Sequence, residues 1–161
     1  MGLDISAYSK ITKTTNLDEA TIFVYRGEYY NDQAKDIEQG TYVECSESEN
    51  IGFRAGSYSG YSVFRNHLSE MILGADARTV WAEEEKYVGK PFYELINFSD
   101  CEGNFGPQVS AKLHKDFVDH REVFHEKIKN KNLYEGYYES VYDNFMKGFE
   151  LASRGGILSF H

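Results

Sequence analysis

The chain has 161 residues, of which 41% are hydrophobic and 27% charged, the balance of a globular domain rather than of a disordered or fibrous chain. Its 17 Lys and Arg residues against 26 Asp and Glu residues give a formal net charge of −9. This charge argues against direct nucleic-acid binding, because proteins grip a phosphate backbone with a positive field. The length predicts a single domain over residues 1–161.

The chain lacks the sequence features of a membrane or disulfide-rich protein. No apolar run approaches the ~20 residues that a membrane-spanning helix needs, and no signal peptide is expected. Two cysteines, Cys45 and Cys101, cannot build a disulfide framework, so both are expected to be reduced thiols. These observations predict a cytoplasmic protein with no membrane partner and no cofactor.

The N-terminal third is predicted to form β-strands and turns. Residues 3–8 alternate between apolar and polar, which is typical of a half-buried strand. β-branched and aromatic residues favour two more strands at 20–25 and 41–45. A fourth strand at 51–54 is weakened by its glycine.

From Ser57 onward the apolar residues recur at helical spacing. The first helix is expected to end near Gly74, where a glycine suits the residue after a helix. Four further helical segments are predicted in the rest of the chain: 79–87, 91–96 with Pro91 at its first position, a long helix from Pro107, and 133–152.

A last short strand is predicted at 157–160, and it needs a sheet partner. The only other predicted strands lie in the first third, so the helices between them must pack back onto that sheet. We therefore predict an α+β fold, with a small, mostly antiparallel sheet from the N-terminal third plus the C-terminal strand, packed against several helices.

The first candidate site is the glycine- and hydroxyl-rich segment 52–61, which leads into the first long helix. A helix N-terminus presents free N–H groups and a positive dipole end, and both favour an anion. Glycines allow a ligand to approach the backbone closely, and arginines are expected to supply positive charge on the same side of the site. The candidate ligand-binding residues here are Arg54, Ser57, Tyr58, Ser59, Tyr61 and Arg65.

The same segment also fits a purely structural role. Ser57 or Ser59 is a good helix N-cap, and Gly56 and Gly60 are expected at a strand-to-helix turn. Tyr58 stands at the centre of Gly56-x-x-x-Gly60, so the segment is not a nucleophile elbow. No Gly-Lys-Ser/Thr follows, so it is not a Walker loop either.

The second candidate site is the acidic segment 97–107, in which Asp100 and Glu102 flank Cys101. These carboxylates are candidates for the same ligand cleft, where they could pair with the arginines, or they simply complement the dipole of the following helix. The spacing does not match an EF-hand, and no His-Glu-x-x-His pattern predicts zinc, so no metal is expected. Cys101 lies between two acids, which disfavours a catalytic thiolate.

Several stretches together resemble an uncharacterised protein family encoded by bacteriophages and prophages. They are Met-Gly-Leu-Asp-Ile at the start, Gly-Phe-Arg-Ala-Gly-Ser-Tyr-Ser-Gly-Tyr at 52–61, Leu-Ile-Asn-Phe-Ser-Asp-Cys-Glu-Gly at 95–103, and the closing Phe160-His161. The resemblance spans nearly the whole chain, although Asn104-Phe105 replaces a hydrophobic Ile of the family. It implies an accessory phage protein that acts in the cytoplasm of the bacterial host. By analogy with other small phage proteins, it also implies a counter-defence factor.

Three functions follow as hypotheses, and binding is preferred over catalysis. The first is a binding protein whose cleft holds a small anionic ligand such as a nucleotide, with tyrosine rings stacking on the base. The second is an acidic inhibitor of a host protein, acting through stretches such as 44–49 and 83–85. The third is a hydrolase that uses Asp100 or Glu102 as a base and an arginine to hold an anion; its missing element is an evident nucleophile.

Overall fold

The computed structural model describes residues 2–27, 32–98, 101–131 and 134–161. The strands found in these ranges are β1 (Gly2–Tyr8), β2 (Ile11–Lys13), β3 (Ile22–Val24), β4 (Gly40–Glu44), β5 (Asn50–Ser57), β6 (Gly103–Phe105) and β7 (Ile157–Phe160). The helices are α1 (Tyr58–Leu68), α2 (Ala77–Ala82), α3 (Glu84–Tyr87), α4 (Tyr93–Ile96), α5 (Pro107–Asn130) and α6 (Tyr137–Ala152). None of the helices in the described ranges is long and apolar enough to cross a membrane.

The α+β architecture is confirmed, but its strands form two antiparallel sheets where the sequence analysis predicts one. The first sheet has the order β5-β1-β7-β6, and the second has the order β2-β4-β3. As expected, the C-terminal strand returns to the N-terminal one, with Ile157 opposite Tyr8 and Phe160 opposite Ile5. The chain changes sheet between β1 and β2, which a pattern of apolar residues does not indicate.

The two faces of β1 have different roles, because successive side chains of a strand point to opposite sides. Leu3, Ile5 and Ala7 are buried in the main core. Ser6 and Tyr8 lie on the other face, towards the second sheet. The alternation in residues 3–8 therefore positions both the core and one wall of the space between the sheets.

The main core lies between the first sheet and the helices α1, α5 and α6, and is built largely from aromatic rings. Phe145 of α6 is at its centre, in contact with rings from β5, α1, α5 and β7. A smaller apolar cluster contains Ile22, Val24 and Tyr42 from the second sheet. Ile157, the first residue of β7, also belongs to it and so connects the two sheets.

The segment predicted at 79–87 forms two helices, α2 and α3, and two further helix boundaries differ from the predictions for a local reason. Pro91 is not the first residue of α4, because Phe92 adopts a left-handed φ of 61° and its N–H donates to Asp116 Oδ2 at 2.9 Å. The last helix begins after Gly136, whose φ is 77°, and the expected start at residue 133 lies outside the described residues. Gly74 has the left-handed φ of 72° expected after a helix, although a π-helical turn at Ser69–Leu73 precedes it.

Candidate functional site

The N-terminus of α1 is capped by Ser57. Its hydroxyl accepts a hydrogen bond from the Gly60 N–H at 3.0 Å, and the Ser59 hydroxyl lies 3.0 Å from it. This is the capping role that the sequence left open as an alternative to ligand binding. One donor of the helix end is therefore already satisfied within the chain.

Arg54 pairs with an acid on the neighbouring strand. Its Nε and Nη2 atoms donate to Asp4 Oδ1 and Oδ2, both at 2.9 Å, because Asp4 and Arg54 are directly opposite in the β1–β5 pairing. The guanidinium lowers the pKa of the Asp4 carboxyl below its ordinary value, chiefly through these hydrogen bonds. The charge expected to hold an anion is thus balanced within the sheet.

Arg65 and Tyr61 belong to the core, and the expectation that Arg65 faces the same mouth as Arg54 is wrong. Tyr61 is fully buried, and Arg65 is only 5% exposed. The Arg65 Nη1 donates to the Phe98 carbonyl at 2.5 Å, and its guanidinium lies over the rings of Tyr61 and Trp81. Tyr61 and Arg65 are about one helical turn apart, so they lie on the same face of α1, and that face is buried.

The acid that caps α5 is Asp36, which the sequence analysis does not single out. Its Oδ2 accepts the Gln108 N–H at 2.7 Å, close to the start of the helix at Pro107. Asp100, one of the two acids expected to complement this helix dipole or to bind ligand, lies outside the described residues. Glu102 precedes β6 and borders a cavity between the two sheets.

This inter-sheet cavity has a volume of about 700 Å³. Strands β1, β3, β6 and β7, together with the first residue of α1, line it. Its walls include the aromatic residues Tyr8, Phe23, Tyr25 and Tyr58, whereas the Phe160 ring is buried in the main core. Its polar side chains include Ser6, Thr21, Glu102, Asn104, Ser159 and His161. Of the predicted site residues, the structure brings together Tyr58 and Glu102 here.

Hydrogen bonds between strands fix the polar floor of the cavity. His161 and Asp4 exchange backbone hydrogen bonds of 3.0 Å, which extends the β1–β7 pairing beyond Phe160. The His161 Nε2 lies 2.8 Å from the Ser6 hydroxyl, and the Asn104 amide donates to the Ser159 hydroxyl at 2.8 Å. These polar groups are therefore oriented before any ligand arrives, which lowers the entropic cost of binding.

The Ser6–His161 contact brings a hydroxyl within reach of an imidazole, which is one link of a nucleophile–base pair. A working pair also needs a third group that orients the base. Among the described hydrogen bonds, none joins the other His161 ring nitrogen to such a group.

The cavity is devoid of basic side chains other than the histidine. All 17 Lys and Arg residues lie in the described parts of the chain, and none of them lines this cavity. Glu102 is the acidic side chain among the described lining residues. An anion would therefore meet a carboxylate and ring faces rather than a guanidinium, so the expected anion site is not assembled here.

Two rings of the cavity, Phe23 and Tyr25, were missed by the sequence analysis. They are stacked at 6.3 Å between centroids and 9° between planes, and they are 43% and 48% exposed. Phe23 lies between Ile22 and Val24, which are both buried. Because side chains alternate between the two faces of β3, the Phe23 ring lies on the exposed face. The available signal was the period-2 pattern itself, which places an aromatic residue on the polar face of a strand.

A second concavity of about 630 Å³ is a groove between α1 and the start of α6. Ser57 and Ser59 border this groove rather than the inter-sheet cavity, together with Tyr134, Tyr137 and Tyr138. His67 lies against the Tyr138 ring at 5.0 Å and is 8% exposed. Among the described residues, neither of its ring nitrogens has a hydrogen-bond partner.

The burial of His67 makes the stability of the fold depend on pH. Burial lowers the pKa of the His67 ring, and the charge of Lys131 lowers it further. Below about pH 6.5 the unfolded chain takes up a proton that the folded chain resists, so stability falls as the pH falls. Thermal denaturation of His67→Leu is expected to show a smaller loss between about pH 7 and pH 5 than the original chain. Equal losses of thermal stability in the two proteins would contradict the assignment of this pH dependence to His67.

Comparison with known proteins adds no residue roles to the cavity. No protein-family model, no curated protein and no solved structure matches the chain. What the cavity can bind is therefore argued from its own side chains and their contacts.

Proposed function

We propose that the protein acts by binding, and that its ligand is a small ring-containing molecule held in the inter-sheet cavity. The observation that carries this proposal is a cavity of about 700 Å³ that combines aromatic walls with a hydrogen-bonded polar floor. Small-molecule sites in proteins typically have volumes of about 300–1,000 Å³ and the same mixture of many apolar and few polar groups.

The aromatic walls supply the affinity in this proposal. Phe23 and Tyr25 leave nearly half of their surfaces in water, although aromatic rings gain free energy when they are covered. A flat ligand ring that lies against them removes this apolar surface from water. Tyr58, from the start of α1, adds a further ring to the same cavity.

The polar floor supplies orientation. The hydroxyls of Ser6 and Ser159 are each engaged in one contact within the chain. A hydroxyl has one donor and two acceptor positions, so each retains hydrogen-bonding capacity for a ligand. A ligand ring that carries N–H or O–H groups at its edge fits this arrangement better than a purely apolar one.

The chemistry favours a ring without a phosphate over a nucleotide. The guanidiniums that were expected to hold an anion are engaged by the Asp4 carboxylate and by the Phe98 carbonyl. A phosphate in the cavity would approach Glu102 without a compensating arginine. The proposed ligand is therefore not an anion.

The biological setting follows from the resemblance to phage-encoded proteins. On that basis we propose an accessory protein that acts in the cytoplasm of the bacterial host and counters host defence. Direct binding of a host protein by the acidic stretch 44–49 has less support, because Glu47 pairs with Lys10 and Glu49 pairs with Arg154. Hydrolysis with Glu102 as the base is the further alternative.

A fragment screen with matched tyrosine variants tests the binding function. Ring-containing fragments that bind the original chain, as detected by saturation-transfer NMR, are then measured by calorimetry against Tyr58→Ala and Tyr134→Ala. Tyr134 is 75% exposed and lies in the other groove, so it serves as the control. Removal of the Tyr58 ring is expected to weaken binding about tenfold, as befits one lost aromatic contact.

The control variant is expected to bind like the original chain. A screen without any binder, or binders whose affinity responds to Tyr134→Ala and not to Tyr58→Ala, would contradict the proposed function.

A further inference from the structure

The charges around the inter-sheet cavity are one-sided. None of the 17 Lys and Arg residues lines it, whereas Glu102 does. The neighbouring Arg54 adds no free positive charge, because the Asp4 carboxylate pairs with it through two hydrogen bonds. The potential inside the cavity is therefore set by the Glu102 carboxylate, by the His161 ring and by uncharged aromatic rings and hydroxyls.

The rings contribute to the same preference. The face of an aromatic ring is electron-rich and attracts cations within about 6 Å of its centroid. Phe23 and Tyr25 are nearly parallel and half exposed, and Tyr8 and Tyr58 line the same space. These four aromatic residues line the same cavity as the Glu102 carboxylate, and ring faces together with a carboxylate favour an organic cation.

The whole chain carries a formal charge of −9, and a field of this sign raises the local concentration of cations near the protein. A metal ion does not fit the cavity well, because hard cations need several oxygen ligands. No group of three or more His, Cys, Asp and Glu side chains suited to a metal occurs in the described ranges. The cation that fits is therefore an organic one.

We infer that the ligand of the inter-sheet cavity carries a positive charge: it is a small organic ammonium compound whose charged group lies between Glu102 and the ring faces. This inference rests on the proposed function, because it names the class of ligand for the same cavity. It follows from the juxtaposition of the Phe23–Tyr25 stack, the Glu102 carboxylate and the absence of Lys and Arg from the described lining.

Three probes that share one molecular skeleton and carry a positive charge, no charge or a negative charge test the inference. Tyramine carries an ammonium group, 4-propylphenol replaces that group by a methyl group, and 3-(4-hydroxyphenyl)propanoate replaces it by a carboxylate. Choline and its uncharged analogue 3,3-dimethylbutan-1-ol repeat the comparison on a body without a ring. Calorimetry gives the affinities, and amide chemical shifts show whether each probe contacts the cavity.

Each cation is expected to bind about tenfold more tightly than its neutral analogue at low salt, and the anion is expected to bind least. Glu102→Gln should reduce this preference severalfold, whereas Glu126→Gln, which removes an exposed acid on α5, should leave it unchanged. Tyr25→Phe should keep the preference and Tyr25→Leu should weaken it, because only the former retains the ring face.

Two results would overturn the inference while leaving the proposed function to its own test. The first is binding of 4-propylphenol or 3-(4-hydroxyphenyl)propanoate in the cavity at least as tightly as tyramine. The second is no binding of tyramine or choline in the cavity, even though uncharged fragments from the screen do bind there. If no fragment of any charge binds in the cavity, the proposed function fails and the inference fails with it.

Discussion

Replacement of Phe145 by alanine is expected to destabilise the fold by about 4 kcal/mol, which is the typical cost of removing a fully buried phenylalanine ring. Phe145 is completely buried. Its ring stacks on Phe64 at 5.7 Å and meets the Phe53 ring edge-on at 5.0 Å, so it connects α6 to both α1 and β5. Urea denaturation measures the change in the free energy of unfolding.

The matched control is Phe23→Ala, because the Phe23 ring is 43% exposed in the cavity. This change is expected to cost less than about 1 kcal/mol, since no core cavity is created. Equal effects of the two substitutions would contradict the proposed division between a sealed aromatic core and an open aromatic cavity.

Gly156→Ala is expected to cost about 3 kcal/mol or more, since overpacking against a rigid backbone is strongly destabilising. A Cβ atom at this position would lie 1.7 Å from the Tyr8 carbonyl oxygen and 2.8 Å from the Ser9 carbonyl carbon. Both contacts are with backbone, which cannot rotate away. Either β7 or the end of β1 would have to move, and these strands line the inter-sheet cavity.

Gly52→Ala is the control for this glycine. A Cβ atom there would lie 3.9 Å from the Ile5 carbonyl, an ordinary contact, and the backbone φ is not left-handed. The expected change is within about 0.5 kcal/mol. Chemical denaturation measures the free energy of unfolding of both variants. A Gly156→Ala protein as stable as the Gly52→Ala protein would contradict the close approach of β1 and β7.

The parts of the fold that the sequence predicts are those with a strong local period. The alternation over residues 3–8 corresponds to β1, whose burial alternates along the strand. The helix predicted from Pro107 starts there, because proline suits the first position of a helix. The helical spacing of apolar residues over 133–152 likewise corresponds to residues that are buried in α6, among them Phe145 and Phe149.

The division into two sheets depends on long-range pairing and has little local signal. β2 has three residues and is mostly exposed, and it becomes a strand because it pairs with β4. β6 contains Gly103 and Asn104, which disfavour strands, and it is held by pairing with β7 at the other end of the chain. Such pairings depend on residues about 30–55 positions apart.

The candidate site was only partly predictable for the same reason. Tyr58 and Glu102 were identified from motifs and share a cavity in the structure. The sequence indicates Arg54 and Arg65 as ligand-binding residues because their partners within the fold, Asp4 and the Phe98 carbonyl, are distant along the chain. Local spacing indicates which residues could reach a ligand, but not which of them already have a partner within the fold.

The central claim is that the inter-sheet cavity is the binding site, and amide chemical-shift mapping with the tightest-binding fragment tests it most directly. We expect the largest shifts at Ser6, Gly103 and Ser159, which lie on three adjacent strands of the first sheet and line this cavity. Shifts confined to the groove residues Val63, His67 and Tyr138 would contradict the claim, as would the absence of any saturable shift.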